Sequence, residues 1–131
     1  MPILNPTPGE VYDRLSILKL KISHSPLNKD NPFETEYQDL LDYLHNKCWS
    51  ATVELPRDLV EINTVLWILE DTVRGYADTA EIIPLDPLVV HQRYLVYRMI
   101  TFNNNERARI IKSINRSFGI YTEEKLYEKT E

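Results

Sequence analysis

The chain has 131 residues, with 20 acidic against 15 basic side chains, a formal net charge of -5 and a pI of about 5.2. This acidic balance argues against general nucleic-acid binding, because that binding depends on Lys and Arg side chains neutralising phosphates. The single cysteine, Cys48, cannot form an internal disulfide, and no apolar run approaches the roughly 20 residues of a membrane helix, so we expect a cytoplasmic protein without a membrane span.

The eight prolines, at positions 2, 6, 8, 26, 32, 56, 84 and 87, leave four long proline-free intervals. Proline inside a helix removes a backbone hydrogen bond and clashes with the preceding turn, so these intervals predict four helices. No interval shows the alternating pattern of a strand. We therefore predict an all-α fold, a four-helix bundle-like single domain over residues 1–131, large enough to form a core without a structural metal or cofactor.

The first two helices have N-terminal capping signals. Residues 7–10 read Thr-Pro-Gly-Glu, a capping box with proline at the first helical position, and the helix that it starts should end near His24. Asn31 followed by Pro32 predicts the start of the second helix. The apolar stripe of that helix comprises Phe33, Tyr37, Leu40, Leu41 and Leu44.

The third helix is predicted to begin at Pro56 and to fray near Gly75, and a loop over residues 78–86 follows it. Its apolar residues keep helical spacing for about five turns. They are Leu59, Ile62, Leu66, Leu69, Val73 and Tyr76.

The fourth helix is predicted to be unusually long. Asp86 caps it before Pro87, it runs to Phe118, Gly119 is its terminator, and a polar tail occupies residues 119–131. At 1.5 Å per residue this helix is roughly 48 Å long, unless the asparagine run at 103–105 bends it and folds the second half back as a fifth helix.

The apolar residues of a straight fourth helix are too many for the three shorter helices to cover. They are Leu95, Met99, Phe102, Ile110, Ile111, Ile114 and Phe118. A compact domain of this size has a radius of gyration of only about 14 Å, so such a helix projects beyond it. We therefore expect a homo-oligomer, a dimer or higher, most simply a two-fold dimer.

Polar residues at the edges of three apolar helices form the candidate ligand-binding site. On the third helix, four such residues lie within about 60° of one another around the helix axis. The eight candidates are Arg14 and Lys21 on the first helix, Asn63, Trp67, Glu70 and Arg74 on the third, and Asn104 and Arg107 on the fourth.

Two interpretations of these residues stay open at the level of sequence. In the first they form inter-helix salt bridges, with Glu70 bound to Arg14 or Arg107 and Glu10 bound to Arg74. In the second they line a pocket between helices. There the cations would bind a phosphate or carboxylate, Trp67 would stack on a planar ring, and the amides would read its edge.

The sequence shows no motif of catalysis or of tight metal binding. Its three histidines lie on separate segments without zinc-ligand spacing, and there is no glycine-rich phosphate loop or nucleophile elbow. We therefore assign no catalytic residue and no metal ligand, and we favour a protein that is not an enzyme. One set of carboxylates leaves Mg²⁺ binding open, namely Glu10, Asp13, Glu70 and Asp71.

Four motifs occur in order along most of the chain: Gly9-Glu10-x-x-Asp13-Arg14-Leu15-Ser16-Ile17-Leu18-x-x-Lys21, Asn63-x-x-Leu66-Trp67-x-x-Glu70-Asp71-x-x-Arg74, Asn104-x-x-Arg107-Ala108 leading to Ile114-Asn115, and Glu123-Glu124-Lys125-x-Tyr127. At these motifs the chain resembles an uncharacterised family of small helical proteins from bacteria and tailed phages, classed as a domain of unknown function. The chain departs from the family pattern at Asn105, where the family has an acidic residue, and at Ile111, where a basic residue is expected. The resemblance implies no activity, only that the polar stripes are the family's signature positions.

The leading functional hypothesis is a non-enzymatic binding protein that captures a small anionic ligand, either a nucleotide or a nucleotide-derived signal. In a phage, such a protein would be suited to sequester a host defence signal. Two alternatives stay open. One is a Mg-dependent nucleotide pyrophosphohydrolase that uses the four carboxylates. The other is a helical adaptor that binds a host protein through the third helix or the tyrosine-bearing tail.

Overall fold

The structure, a computed structural model, describes residues 5–25, 31–49, 55–79 and 86–121. Four helices follow one another in these ranges: α1 (Pro8–Ser23), α2 (Pro32–Asn46), α3 (Arg57–Thr79) and α4 (Pro87–Ser117). No strand occurs in the described ranges. The prediction of an all-α fold with four packed helices, the fourth the longest, is confirmed.

The predicted start and stop signals act as expected. Thr7 and Glu10 form the capping box of α1, Asn31 caps α2, and the Asp86 side chain accepts a hydrogen bond from the Leu88 amide at 2.8 Å. Gly119 follows the end of α4 with a φ of 79°, the left-handed conformation that glycine adopts without strain.

Two boundary predictions are corrected. Because α3 continues to Thr79, the fraying expected near Gly75 is wrong: the surrounding turns keep their helical hydrogen bonds despite the conformational freedom of glycine. Because α4 is one helix from Pro87 to Ser117, the asparagines at 103–105 do not divide it, and its second half is not folded back as a separate helix. Residues 80–85 of the predicted loop and 122–131 of the predicted tail lie outside the described ranges.

The central element is α1, which packs against each of the other three helices. Its Gly9 contacts Asn115 of α4 and its His24 stacks on Trp67 of α3, so α1 runs antiparallel to α4 and parallel to α3. The apolar core forms around α1 because its buried stripe meets all three neighbours. Residues in this core include Val11, Tyr12, Leu15, Leu44 and Leu59, with Ile110, Ile111, Ile114 and Phe118 packed against them.

The helices differ in length, and this difference creates two regions. With 16 residues, α1 covers only part of α3 and α4, which have 23 and 31 residues. We call residues 70–79 of α3 together with 87–97 of α4 the distal arm, because they lie at or past the end of α1. Within this arm the Tyr76 and Tyr97 rings are 6.4 Å apart and the Arg93 guanidinium lies 4.4 Å from the Tyr76 ring centroid. None of the described helices is long and apolar enough to span a membrane.

Candidate functional site

A buried polar network joins α1, α3 and α4. Arg107 of α4 donates two hydrogen bonds to the Asp13 carboxylate of α1, from Nε to Oδ1 at 2.9 Å and from Nη2 to Oδ2 at 2.6 Å. Asn63 of α3 donates through Nδ2 to Asp13 Oδ1 at 2.9 Å and to Ser16 Oγ at 2.5 Å. Since a bidentate arginine–carboxylate pair fixes both distance and orientation, this network sets the register of the three helices.

A second buried contact holds the N-terminus of α1 against α4. The Asn115 Oδ1 atom accepts a hydrogen bond from the Gly9 amide at 2.6 Å. The next amide, that of Glu10, donates to Thr7 Oγ1. The amides of Gly9 and Glu10 have no acceptor within the helix because they lie in its first turn, and both are bonded in this way. Glycine is needed here because a Cβ at residue 9 would lie 2.9 Å from Asn115 Oδ1 and closer still to the Ile111 carbonyl oxygen.

The two basic residues predicted from α1 both contact α2. Arg14 donates to Glu36 from Nε at 2.6 Å and from Nη2 at 2.9 Å. These hydrogen bonds hold the pKa of the Glu36 carboxyl below its ordinary value and raise the pKa of Arg14. The Lys21 ammonium lies 5.3 Å from the centroid of the Phe33 ring, a cation–π contact. Both residues therefore fasten α2 to α1.

The next predicted residue of α3 after Asn63 is Trp67, which lies at the C-terminal end of α1. The half-buried Trp67 ring stacks on His24, with the ring centroids 4.9 Å apart and 28° between the planes. Glu70 and Arg74 follow Trp67 by about one and two helical turns, so all three share one side of α3. Both Glu70 and Arg74 are exposed, and Arg74 Nη2 donates to the equally exposed Asp71 at 3.0 Å.

On α4, the predicted residue Asn104 lies about level with Ser16, one turn beyond the Arg107–Asp13 pair toward the C-terminus of α1. It precedes Arg107 by about one turn and therefore lies on the same side of α4 as the residue that binds Asp13. Its side chain is half-buried. We use the term open groove for the four residues Trp67, Glu70, Arg74 and Asn104.

The eight predicted ligand-binding residues thus fall into three groups. Asn63 and Arg107 meet in the buried network, Arg14 and Lys21 contact α2, and the remaining four form the open groove. The specific salt bridges predicted for Glu70 and Glu10 are wrong, because Arg14 binds Glu36, Arg107 binds Asp13 and Arg74 pairs with Asp71. Which charged residues meet depends on how the helices are shifted along one another. Helical periodicity gives only the side of a helix on which a residue lies, so it could not predict these pairs.

The four carboxylates that could have held Mg²⁺ are not gathered. Glu10 bonds the Thr7 amide and hydroxyl as part of the cap, and Asp13 is bound by Arg107 and Asn63. Within the part of the chain that the structure describes, no group of three or more His, Cys, Asp or Glu side chains is placed to hold a metal ion.

Sequence reasoning missed the central role of Asp13, Ser16 and Asn115. The sequence analysis places Asp13 among possible Mg²⁺ ligands and places Asp13, Ser16 and Asn115 in the motifs, without a packing role for any of them. Helical periodicity gave no signal for that role, because Asp13 and Ser16 lie about 140–160° around α1 from the apolar Val11, on the side where a polar residue is expected to be exposed.

Comparisons with known protein families, with curated proteins and with solved structures found no match to this chain. The function must therefore be argued from the chain's own residues, and the family resemblance of the four motifs stays a prediction.

Proposed function

We propose that this protein is a non-enzymatic binding protein that holds a small anionic ligand, a nucleotide or a nucleotide-derived signal, in the open groove. One observation supports the proposal: the Trp67 ring, the Arg74 guanidinium and the Asn104 amide lie on the sides of α3 and α4 that face α1, and none of them is among the donors that bind Asp13. Trp67 contacts α1 through its stacking on His24, so a ligand there would exchange that contact for its own.

Arg107 and Arg74 differ in how strongly each is paired with a carboxylate, and this difference indicates which of them can bind an anion. Arg107 is only 25% exposed and is held in a bidentate pair, and removing it from Asp13 would leave a buried carboxylate without its counter-ion. Within the part of the chain that the structure describes, Arg74 pairs through one hydrogen bond with exposed Asp71, an interaction of about 0.2–1 kcal/mol. A phosphate with two acceptor oxygens competes easily with such a partner.

The other groove residues suit the remaining parts of a nucleotide. The Trp67 ring offers an apolar surface for a base, which would stack there beside or in place of His24. Asn104 supplies a donor and an acceptor for the edge of the base, and the Glu70 carboxylate accepts from an amino or hydroxyl group. Hydrolysis of the nucleotide has less support, because Glu10 and Asp13 are engaged in the cap and in the network.

Isothermal titration calorimetry tests this proposal with a panel of nucleoside triphosphates, cyclic mononucleotides and cyclic dinucleotides. We expect at least one of them to bind, and Arg74→Ala to weaken that binding about ten- to a hundredfold, the value of a hydrogen bond to a charged group. Arg57→Ala is the matched control, since Arg57 is an exposed arginine of the same helix in an i,i+4 pair with Glu61.

Three outcomes contradict the proposal. The first is no binding by any member of the panel up to millimolar concentration. The second is equal weakening by Arg74→Ala and Arg57→Ala, which indicates a general charge effect. The third is turnover of the nucleotide in the presence of Mg²⁺, which would favour the hydrolase.

A further inference from the structure

An exposed apolar face covers the side of α3 and α4 that is opposite the open groove. Of the seven apolar residues that we expected to need a partner, Ile110, Ile111, Ile114 and Phe118 pack on the core, whereas Leu95, Met99 and Phe102 do not. The last three belong to a set of large apolar side chains that are 39–63% exposed. We use the term outer face for Val65 and Ile68 of α3 with Leu88, Leu95, Met99 and Phe102 of α4.

The contacts with α1 establish where this face lies. Asn63 and Asn115 mark the sides of α3 and α4 that contact α1. At about 100° per residue, Val65 and Ile68 lie about 140–160° around α3 from Asn63. The four α4 residues lie about 140–180° around their helix from Asn115. Because α3 and α4 are antiparallel neighbours, both sets are presented on one side, away from α1.

The spacing along α4 is that of a helix-packing seam. Leu88, Leu95, Met99 and Phe102 fall on a series that advances alternately by four and three residues and that also includes Gln92 and Glu106. This heptad repeat is the pattern by which one helix packs along another. Among the described helices α1 occupies the opposite side and α2 packs on α1, so neither covers this seam.

The exposed area is of the size that a second chain would cover. Six large apolar side chains, each about half exposed, present on the order of 500 Å² of apolar surface, close to the upper limit of about 300–600 Å² for the largest patch of a typical monomer. Together with a polar rim, this approaches the roughly 800 Å² that each partner buries in a stable protein interface.

The charges at the rim favour a second copy of the same chain as the occupant. Glu61, one turn before Val65, pairs with Arg57, and Glu106, one turn after Phe102, pairs with Arg109. The rim therefore presents paired charges of both signs, and two copies can approach without bringing uncompensated like charges together. The antiparallel α3 and α4 also form a flat layer. The same two helices of a second copy would add a second layer and complete a four-helix arrangement.

We propose that the outer face is a self-association surface, on which a second copy of the chain packs the same face across a two-fold axis. The interface is isologous, so α3 and α4 of each copy contact α3 and α4 of the other. This surface is separate from the open groove, and ligand binding and dimer formation are independent tests.

Size-exclusion chromatography with light scattering tests the proposal on the full chain from about 1 to 200 μM, a range that spans the micromolar affinity of modest interfaces. We expect the mass of the wild type to rise to twice 15.4 kDa. Phe102→Glu and, on the other helix, Ile68→Lys should each return the mass to that of the monomer, because either change buries a charge at the interface. Both side chains are more than half exposed, so we expect the helical circular dichroism to be unchanged.

Tyr94→Glu is the matched control, since Tyr94 is 54% exposed on α4 but lies outside the outer face. It should keep the dimer. A wild type whose mass stays at 15.4 kDa throughout the range overturns the proposal. The outer face would then be left for a different protein to bind. A dimer that survives both Phe102→Glu and Ile68→Lys, or that Tyr94→Glu dissociates, also overturns it, because the interface would lie elsewhere.

Discussion

The two ends of the α3–α4 pair are built for different purposes. At the end that α1 covers, Asp13, Asn63 and Arg107 are bonded to one another, and Gly9 allows α1 to lie directly on α4. In the distal arm, beyond α1, the polar side chains are exposed and the pairs between them are local, such as Arg74 with Asp71. In the first region the polar side chains join different helices, whereas in the second the Arg74–Asp71 pair joins residues of one helix. This contrast teaches that similar polar stripes can be buried between helices in one half of a helix and exposed in the other.

The largest effect that we expect comes from removing the centre of the buried network. Asp13→Ala leaves the Arg107 guanidinium without its carboxylate and removes one of the two acceptors of Asn63, and the free energy of unfolding should fall by about 3–5 kcal/mol. Urea unfolding followed by circular dichroism measures this change. Asp71→Ala removes the carboxylate of an exposed pair and should cost less than about 1 kcal/mol. Equal effects of the two variants would remove the distinction between the regions.

One glycine lies in a helix of each region, Gly9 in α1 and Gly75 in α3, so the effect of a glycine-to-alanine change on stability can be compared between the two regions. Gly9→Ala introduces a Cβ that meets Ile111 and Asn115, so α1 must move away from α4, at a cost of about 1–3 kcal/mol. In the distal arm, the Cβ introduced by Gly75→Ala meets no atom of the described residues within 4 Å, and this change should stabilise α3 by about 0.5–1 kcal/mol. Thermal unfolding should therefore shift in opposite directions. A lower melting temperature for Gly75→Ala would show that the arm is packed more tightly than described.

The smallest effect concerns the pair that fastens α2 to α1. Arg14 lowers the pKa of Glu36 in the folded state. A lowered carboxyl pKa stabilises the fold above the ordinary pKa of 4.5, and this stabilisation disappears as the pH falls through the folded-state pKa. Because both side chains are about a third exposed, solvent screening limits it to about 0.2–1 kcal/mol. The wild type should therefore exceed Glu36→Gln in stability at pH 7 and lose this advantage in acid.

Glu61→Gln serves as the control for that pH profile, since Glu61 belongs to a fully local pair with Arg57 on α3. Urea unfolding across the pH range should show little difference between this variant and the wild type. A difference between wild type and Glu36→Gln that persists unchanged below the folded-state pKa would mean that the Glu36 side chain acts by packing and not by charge.

The sequence-based predictions succeeded where the cause is local. The caps at Thr7, Asn31 and Asp86 and the terminator at Gly119 act through backbone groups within a few residues, so their patterns suffice to place helix ends. The fraying predicted at Gly75 is wrong because a single glycine costs a helix only about 1 kcal/mol, which does not interrupt the helical turns of α3 on either side of it. Periodicity also identified the polar side of α3, since residues about one turn apart share a face in any helix.

By itself, the sequence determined four helices, their main boundaries and the faces on which polar and apolar side chains lie, because these follow from dihedral preferences and from a helical period that every helix shares. Only the tertiary structure decided which polar residues meet. Asp13 binds Arg107 although 94 residues separate them, because α1 and α4 are antiparallel and Gly9 sets how closely and at what level they pack. The same packing leaves α1 too short to cover the distal arm, which is why Arg74 is exposed there, whereas Trp67 lies against His24 and Asn104 lies beside the middle of α1.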